Sequence, residues 1–187
     1  MLKVLAISGS LRKESYNRKA LQIAKKFAEE FGAEVSEIEP SELNLPIYNQ
    51  DIQDQGIPDQ VAKLKSAIES SDVILIASPE YNYSVPGGFK NMIDWTSRGG
   101  NPFSGKVGAI FGASNGPYGT LRSQPHLRQI MTALNVLLLP QPQIMIRNAA
   151  EVFDAKGNLI DSKLLEQLKT LILKTLELAA KISKKEI

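Results

Sequence analysis

Val4-Leu5-Ala6-Ile7 is a short, unbroken apolar run that ends in Ser8-Gly9-Ser10, and helical spacing resumes only at Leu21. Such a run suits a central parallel strand covered on both faces rather than a half-exposed one. The polar stretch after it carries Ser8, Gly9, Ser10, Arg12, Ser15 and Asn17. A strand that enters a helix through hydroxyls, an amide and a guanidinium makes a turn suited to an anion. The helix N-terminus favours a phosphate, and Arg12 can add a charge-assisted pair. Ser15 or Asn17 equally suits a plain helix N-cap, so the spacing alone leaves both roles open. Gly9 is the only glycine before Gly32, so neither the dinucleotide fingerprint nor the ATP-type phosphate loop is present.

Composition narrows the chemistry further. Cysteine is absent and His126 is the one histidine, which excludes disulfides, thiol catalysis and thiolate metal sites and argues against a histidine-rich metal centre. Redox chemistry in such a chain needs a bound cofactor. With 187 residues, 43% hydrophobic and 22% charged, the chain fits one domain over residues 1–187. No run is long enough to span a bilayer, and the apolar start is too short for a signal peptide, so a cytoplasmic protein is expected. A formal charge of +2 with scattered lysines gives no reason to expect nucleic acid.

Along the chain, a helix is predicted from about Asn17 to Phe31 with Gly32 near its C-cap, followed by a more exposed strand at Val35 to Ile38 that Pro40 ends. Ser41 to Ile57 reads as a long polar connection. A second helix starts near Pro58 with Val61, Leu64 and Ile68 on its buried face, and Val73 to Ala77 is a third strand, apolar throughout. The turn after it, Ser78-Pro79-Glu80-Tyr81-Asn82-Tyr83-Ser84-Val85-Pro86-Gly87, offers flat aromatic area with polar tips, suited to a planar heteroaromatic ring. A short helix follows from Phe89 to about Thr96, with Trp95 assigned to the core. Lys106 to Gly112 is a fourth strand that opens into a third loop, Ala113 to Gly119. Leu127, Ile130, Met131 and Leu134 mark the next helix, with Pro125 in its first turn, and Val136 to Leu139 is the fifth strand. A weaker strand-like segment at Ile144 to Ile146 and a turn at Asp154 to Asn158 lead to the last helix, Ser162 to Ser183. Its apolar face runs from Leu164 to Ile182; Lys163, Lys169, Lys174, Lys181, Lys184 and Lys185 read as a solvated surface, with a membrane-surface helix as the alternative. His126 is given no catalytic role.

Five strands alternating with helices predict an α/β fold with a doubly wound parallel sheet, in which ligands bind beyond the strand C-termini where strand order reverses. Gly9-Ser10-Leu11-Arg12 with Ser15 and Asn17, then Ser78-Pro79-Glu80-Tyr81-Asn82 with Pro86-Gly87 and Lys90-Asn91 to Trp95, together resemble the NADPH-dependent FMN reductase family. That family includes quinone, azo-dye and chromate reductases, and the resemblance covers Lys3 to about Gly157. It implies a flavodoxin-like five-stranded sheet in the order 2-1-3-4-5, with bound FMN and NADPH or NADH as hydride donor. It also implies a small-molecule acceptor such as a quinone, azo compound, metal oxyanion or free flavin. By the resemblance, Ser10, Arg12, Ser15 and Asn17 hold the FMN phosphate, Tyr16 is a further cofactor-binding residue, Pro79, Glu80, Tyr81 and Asn82 border the isoalloxazine, and Ser114 and Gly116 close the site. A homodimer or homotetramer is implied, with no membrane or nucleic-acid partner and no bound metal.

Two positions depart from the family pattern and bear on acceptor choice and subunit contacts: Thr120 stands where a second glycine is frequent, and Pro125 where an aromatic residue is often found. No catalytic nucleophile is expected from the chain. Its task is placement and electrostatics, with backbone N–H groups of the Tyr81 to Asn82 turn facing charge on the reduced flavin and Glu80 acting as a structural carboxylate. The alternatives are a flavodoxin-type electron carrier without a nicotinamide site, which tends to be acidic, and a cofactor-free regulatory domain.

Overall fold

The computed structural model describes residues 1–39 and 43–183. Pro40 as the end of a strand, Ser41 at the start of the long connection, and Lys184 and Lys185 lie outside the described residues. The sheet runs β2-β1-β3-β4-β5, with β6 also paired to β4. Its strands are β1 (Lys3–Ser8), β2 (Glu34–Ile38), β3 (Val73–Ala77), β4 (Val107–Ala113), β5 (Leu137–Leu138) and β6 (Ile144–Ile146). Every pairing is parallel, and one row of the register reads Val35, Val4, Val73, Val107, Leu137. The expected order holds, with one refinement. The fifth position is shared: β5 pairs with the start of β4 and β6 with its end, Phe111 opposite Ile144. Val136 to Leu139 is therefore strand only at its centre.

Alternate residues of each strand serve opposite faces, as a pleated sheet requires. Val4, Ala6, Leu75, Ala77 and Ala109 face α1 (Tyr16–Glu30) and the last helix, α7 (Ser162–Ser183); Ala20, Ala24 and Ala28 on α1 let that helix lie close. Leu5, Ile7, Ile74, Ile76 and Ile110 face the other layer. That layer consists of α3 (Asp59–Glu69), α4 (Gly87–Thr96) and α5 (Ser123–Ala133). Coverage on both sides explains why β1 and β3 read as continuous apolar runs, while β2, at an edge, alternates. The edge is tied to α1 by Lys25–Glu37 and Arg18–Glu39 ion pairs. Burial works against the charged form of Glu37, but hydrogen bonds from Lys25 and Gln22 and the Lys25 charge hold its carboxyl below the ordinary 4.5.

The long connection is not structureless. Asn49 caps a five-residue helix, α2 (Gln50–Asp54), and the segment before it is pinned to α4. Asn91 Nδ2 and Trp95 Nε1 both donate to Pro46 O, at 2.9 and 2.8 Å, and Tyr48 N donates to Asn91 Oδ1 at 2.7 Å. Trp95 is in the core as expected. Helix α4 begins two residues earlier than its apolar spacing suggests, because Pro86 takes the cap position and Gly87 and Gly88 follow it. Ile182, placed on the buried face by spacing, is 47% exposed, since α7 outruns the sheet it packs on. Among the described residues, no helix is long and apolar enough to cross a membrane. A four-residue helix, α6 (Ala149–Val152), follows β6.

Candidate functional site

The C-terminal ends of β1, β3 and β4 release three loops at the strand-order reversal, and these loops enclose a cleft of about 180 Å³. It is lined by Ser10, Arg12, Ser15, Tyr16, Asn17, Pro79, Glu80, Tyr81, Ala113, Ser114 and Asn115. All the residues expected at the cofactor therefore meet there except Asn82 and Gly116, which lie next to lining residues in the same loops. Ala113 and Asn115 were not anticipated. Their signal was present in the sequence, since both belong to the glycine-bearing third loop.

The first loop is folded by its own serines. Ser8 Oγ accepts from Ser10 N at 3.1 Å, Ser10 Oγ accepts from Arg12 N at 3.3 Å, and Ser15 Oγ caps α1 by accepting from Asn17 N at 3.2 Å. Both the capping role and a place in the cleft thus belong to Ser15. Each oxygen that accepts a backbone N–H keeps its own proton to donate, and for Ser10 and Ser15 that proton is available to the cleft. Arg12 makes no ion pair among the described residues, and the first turn of α1 holds no acidic residue. The positive end of α1 is therefore left for an external anion. Gly9 permits the geometry: its N–H donates to Ala77 O at 2.8 Å, and a Cβ there would stand 2.7 Å from Ser78 Oγ.

Asn17, expected to hold the phosphate, lines the cleft and also braces it against β4. Its Oδ1 accepts from Ala113 N at 2.8 Å and its Nδ2 donates to Ala113 O at 2.9 Å, from a side chain only 3% exposed. A buried amide satisfied at both ends locks α1 to the last residue of β4, so Asn17 fixes the walls of the cleft.

In the second loop, Tyr81 and Ser84 exchange two backbone hydrogen bonds of 3.0 Å. Asn82 and Tyr83 between them have φ of 48° and 66°, the signature of a two-residue type I′ turn. The Tyr81 N–H is consumed in that bridge, which corrects the expectation that it faces a cofactor; Asn82 keeps a free N–H. Glu80 is structural as expected. Its Oε2 accepts from Arg122 N and Ser123 N at 2.9 and 3.0 Å, capping α5. The Arg122 guanidinium lies over the rings of Tyr83 at 4.1 Å and Tyr118 at 3.8 Å, joining the second loop to the third. Ser84 Oγ and His126 Nδ1, 3.0 Å apart, add another link to α5.

The third loop is stitched to β6 and α6. Ser114 N donates to Ile146 O, Asn148 N to Gly116 O, Ala149 N to Ser114 O, and Ala150 N to Asn115 Oδ1, at 3.0 to 3.2 Å. Thr120 closes it with φ of 72°, buried above Gly112, where any Cβ would collide with the Thr120 side chain. A second cleft, about 190 Å³, lies beside Leu11, Leu43, Leu45, Gly88, Asn91 and Met92. Its described lining residues carry no cation or hydroxyl.

Residues 2–151 match the family described as NADPH-dependent FMN reductase. An NAD(P)H-dependent FMN reductase of Pseudomonas aeruginosa is 46% identical over 164 residues, covering 87% of this chain and 86% of the relative. A quinone reductase of Escherichia coli K12 is 40% identical over 172 residues, 89% of each. Among solved structures, the flavoenzyme NAD(P)H:(acceptor) oxidoreductase FerB from Paracoccus denitrificans superposes with a TM-score of 0.86 at 33% identity, over 97% of this chain and 98% of that one.

Proposed function

Because this chain belongs to the NADPH-dependent FMN reductase family, we propose that the three-loop cleft is its FMN site and that a quinone is among its acceptors. The protein is an FMN-dependent NAD(P)H oxidoreductase acting on small-molecule acceptors. The observation that carries the site assignment is the set of unspent donors at the start of α1: the Ser10 and Ser15 hydroxyls and the Arg12 guanidinium, facing a helix N-terminus with no internal anion. A terminal phosphate monoester satisfies all of them.

When bound, FMN supplies the two-electron relay by which a nicotinamide's hydride reaches a second substrate. The chain's own part is to hold and orient. Arg12, Ser10 and Ser15 grip the phosphate, with Tyr16 and the first turn of α1 beside them. Asn17 keeps that turn at a fixed distance from Ser114. Pro79, Glu80 and Tyr81 form a stiff wall for the ring, Asn82 N–H is the remaining donor on that loop, and Ser114 lines the opposite side with Gly116 close behind it. The cleft is smaller than the roughly 300–1,000 Å³ of sites that enclose a ligand, which suits a cofactor whose reactive head stays open to partners.

The cytoplasm is the proposed compartment. A homodimer or homotetramer is proposed on the exposed rim of the cleft, where Leu11, Tyr81, Tyr83 and Tyr118 present apolar surface to solvent. Two measurements test the function: quenching of FMN fluorescence by apoprotein, and NAD(P)H oxidation with a quinone and no other protein. Binding at micromolar levels with turnover is expected. Binding without NAD(P)H oxidation returns the electron-carrier reading, and absence of binding overturns the site.

A further inference from the structure

Asn115-Gly116 is the only Asn-Gly pair in the chain, and it lies in the third loop, with Asn115 exposed and on the lining of the cleft. Three features converge on it. Gly116 N–H donates to no group among the described residues, so its nitrogen is open. Ala150 N–H donates to Asn115 Oδ1 at 3.1 Å and polarises the side-chain carbonyl as an oxyanion-hole donor does. Gly116 carries no Cβ to block approach of its nitrogen to that carbonyl.

We propose that Asn115 is a site of spontaneous deamidation that ages the cofactor loop. The Gly116 nitrogen attacks the Asn115 side-chain carbonyl carbon. The bond from that carbon to the amide nitrogen breaks, and the amide leaves as ammonia with the proton given up by Gly116. Water then opens the five-membered imide on either side, leaving aspartate or isoaspartate; nothing is oxidised or reduced. Either product subtracts one from the formal charge of +2 and sets a carboxylate on the cleft. Isoaspartate also inserts a methylene into the main chain between Ser114 and Gly116. Both of those residues are fixed by hydrogen bonds to the β6–α6 segment, so the lengthened loop cannot keep both. Weaker retention of an anionic cofactor follows, a consequence that rests on reading this cleft as the FMN site.

The test incubates apoprotein and FMN-saturated protein at mildly alkaline pH and maps peptides by mass spectrometry over days. Asn115 is expected to convert before every other asparagine, and Gly116→Ala to slow it about tenfold. That variant is tolerated, because a Cβ there meets nothing nearer than Ser114 Oγ at 3.8 Å. Earlier conversion of another asparagine, or an unchanged rate in Gly116→Ala, overturns the proposal. Bound FMN is expected to slow the reaction. Equal rates with and without FMN, with Asn115 still first, overturn the placement of FMN against this loop and leave the deamidation standing. Asn115→Asp is expected to bind FMN about tenfold more weakly, and unchanged affinity overturns the stated consequence.

Discussion

The first loop leaves its polar groups unspent, while the second and third loops close theirs on one another. Ser10 and Ser15 satisfy backbone N–H groups, and their hydroxyl protons and Arg12 stay open. Across the cleft, Glu80 caps α5, Arg122 is held between two tyrosines, Ser84 meets His126, and the third loop is sewn to β6 and α6. Under the FMN assignment proposed above, the difference follows from what each loop would face. A phosphate brings its own hydrogen-bond acceptors, so donors aimed at it must be left without internal partners. A wide, flat ring must be held in one plane, so the wall beside it is stiffened by the chain itself.

Asn17 is where the comparison breaks most sharply, because it sits in the first region yet belongs energetically to the second. Asn17→Ala strands Ala113 N and O in a buried site, and at about 1–3 kcal/mol for each orphaned group the expected loss is about 2–6 kcal/mol. Urea unfolding with an unchanged m-value is the measurement. Arg12→Ala is the opposite case: no change in urea midpoint, but FMN affinity lower by about 10- to 100-fold for one charge-assisted hydrogen bond. If Arg12→Ala lowers the midpoint as Asn17→Ala does, the first loop is internally braced and the contrast fails.

Arg122→Ala probes the stiffened side. Losing the two stacking contacts and the 3.9 Å ion pair with Glu80 at a partly exposed site is expected to cost about 1 kcal/mol, and to appear as about a fivefold rise in KM for the acceptor with little change in FMN affinity. An equal loss of FMN affinity means the two tyrosine-bearing loops also hold the phosphate end.

The strand order came from the family resemblance, while β1, β3, the last helix and the three loops were legible because those strands are buried on both faces and because glycines and prolines mark where strands stop. The split fifth position was not: Leu137-Leu138 and Ile144-Met145-Ile146 are short, and only β4 beside them decides which part of each is strand. Helix α2 was hidden because none of its residues is buried, which removes the periodic apolar signal. At the site, residue types named the chemistry but not the partners. An amide such as Asn17 suits a ligand or a neighbouring backbone equally well in sequence, and only the approach of β4 reveals the backbone partner.

Thr120 offers the finest discrimination, since it is the one departure from the family pattern that lies inside the stiffened side. A β-branched residue at φ of 72° carries backbone strain of about 1–3 kcal/mol. Against that, its Oγ1 accepts from Gln124 Nε2 at 3.0 Å, worth about 1 kcal/mol, and its buried methyl contributes about 0.8 kcal/mol. Glycine removes the strain and both gains, and adds freedom to the unfolded chain, so Thr120→Gly is expected to fall within about 1 kcal/mol of the parent. Thr120→Ala keeps most of the strain while losing the hydrogen bond and the methyl, and should be less stable than the glycine variant by about 1 kcal/mol. Equal stabilities for alanine and glycine would mean the left-handed backbone costs nothing here. The threonine would then hold the third loop by its contacts with Gln124 and Gly112 alone.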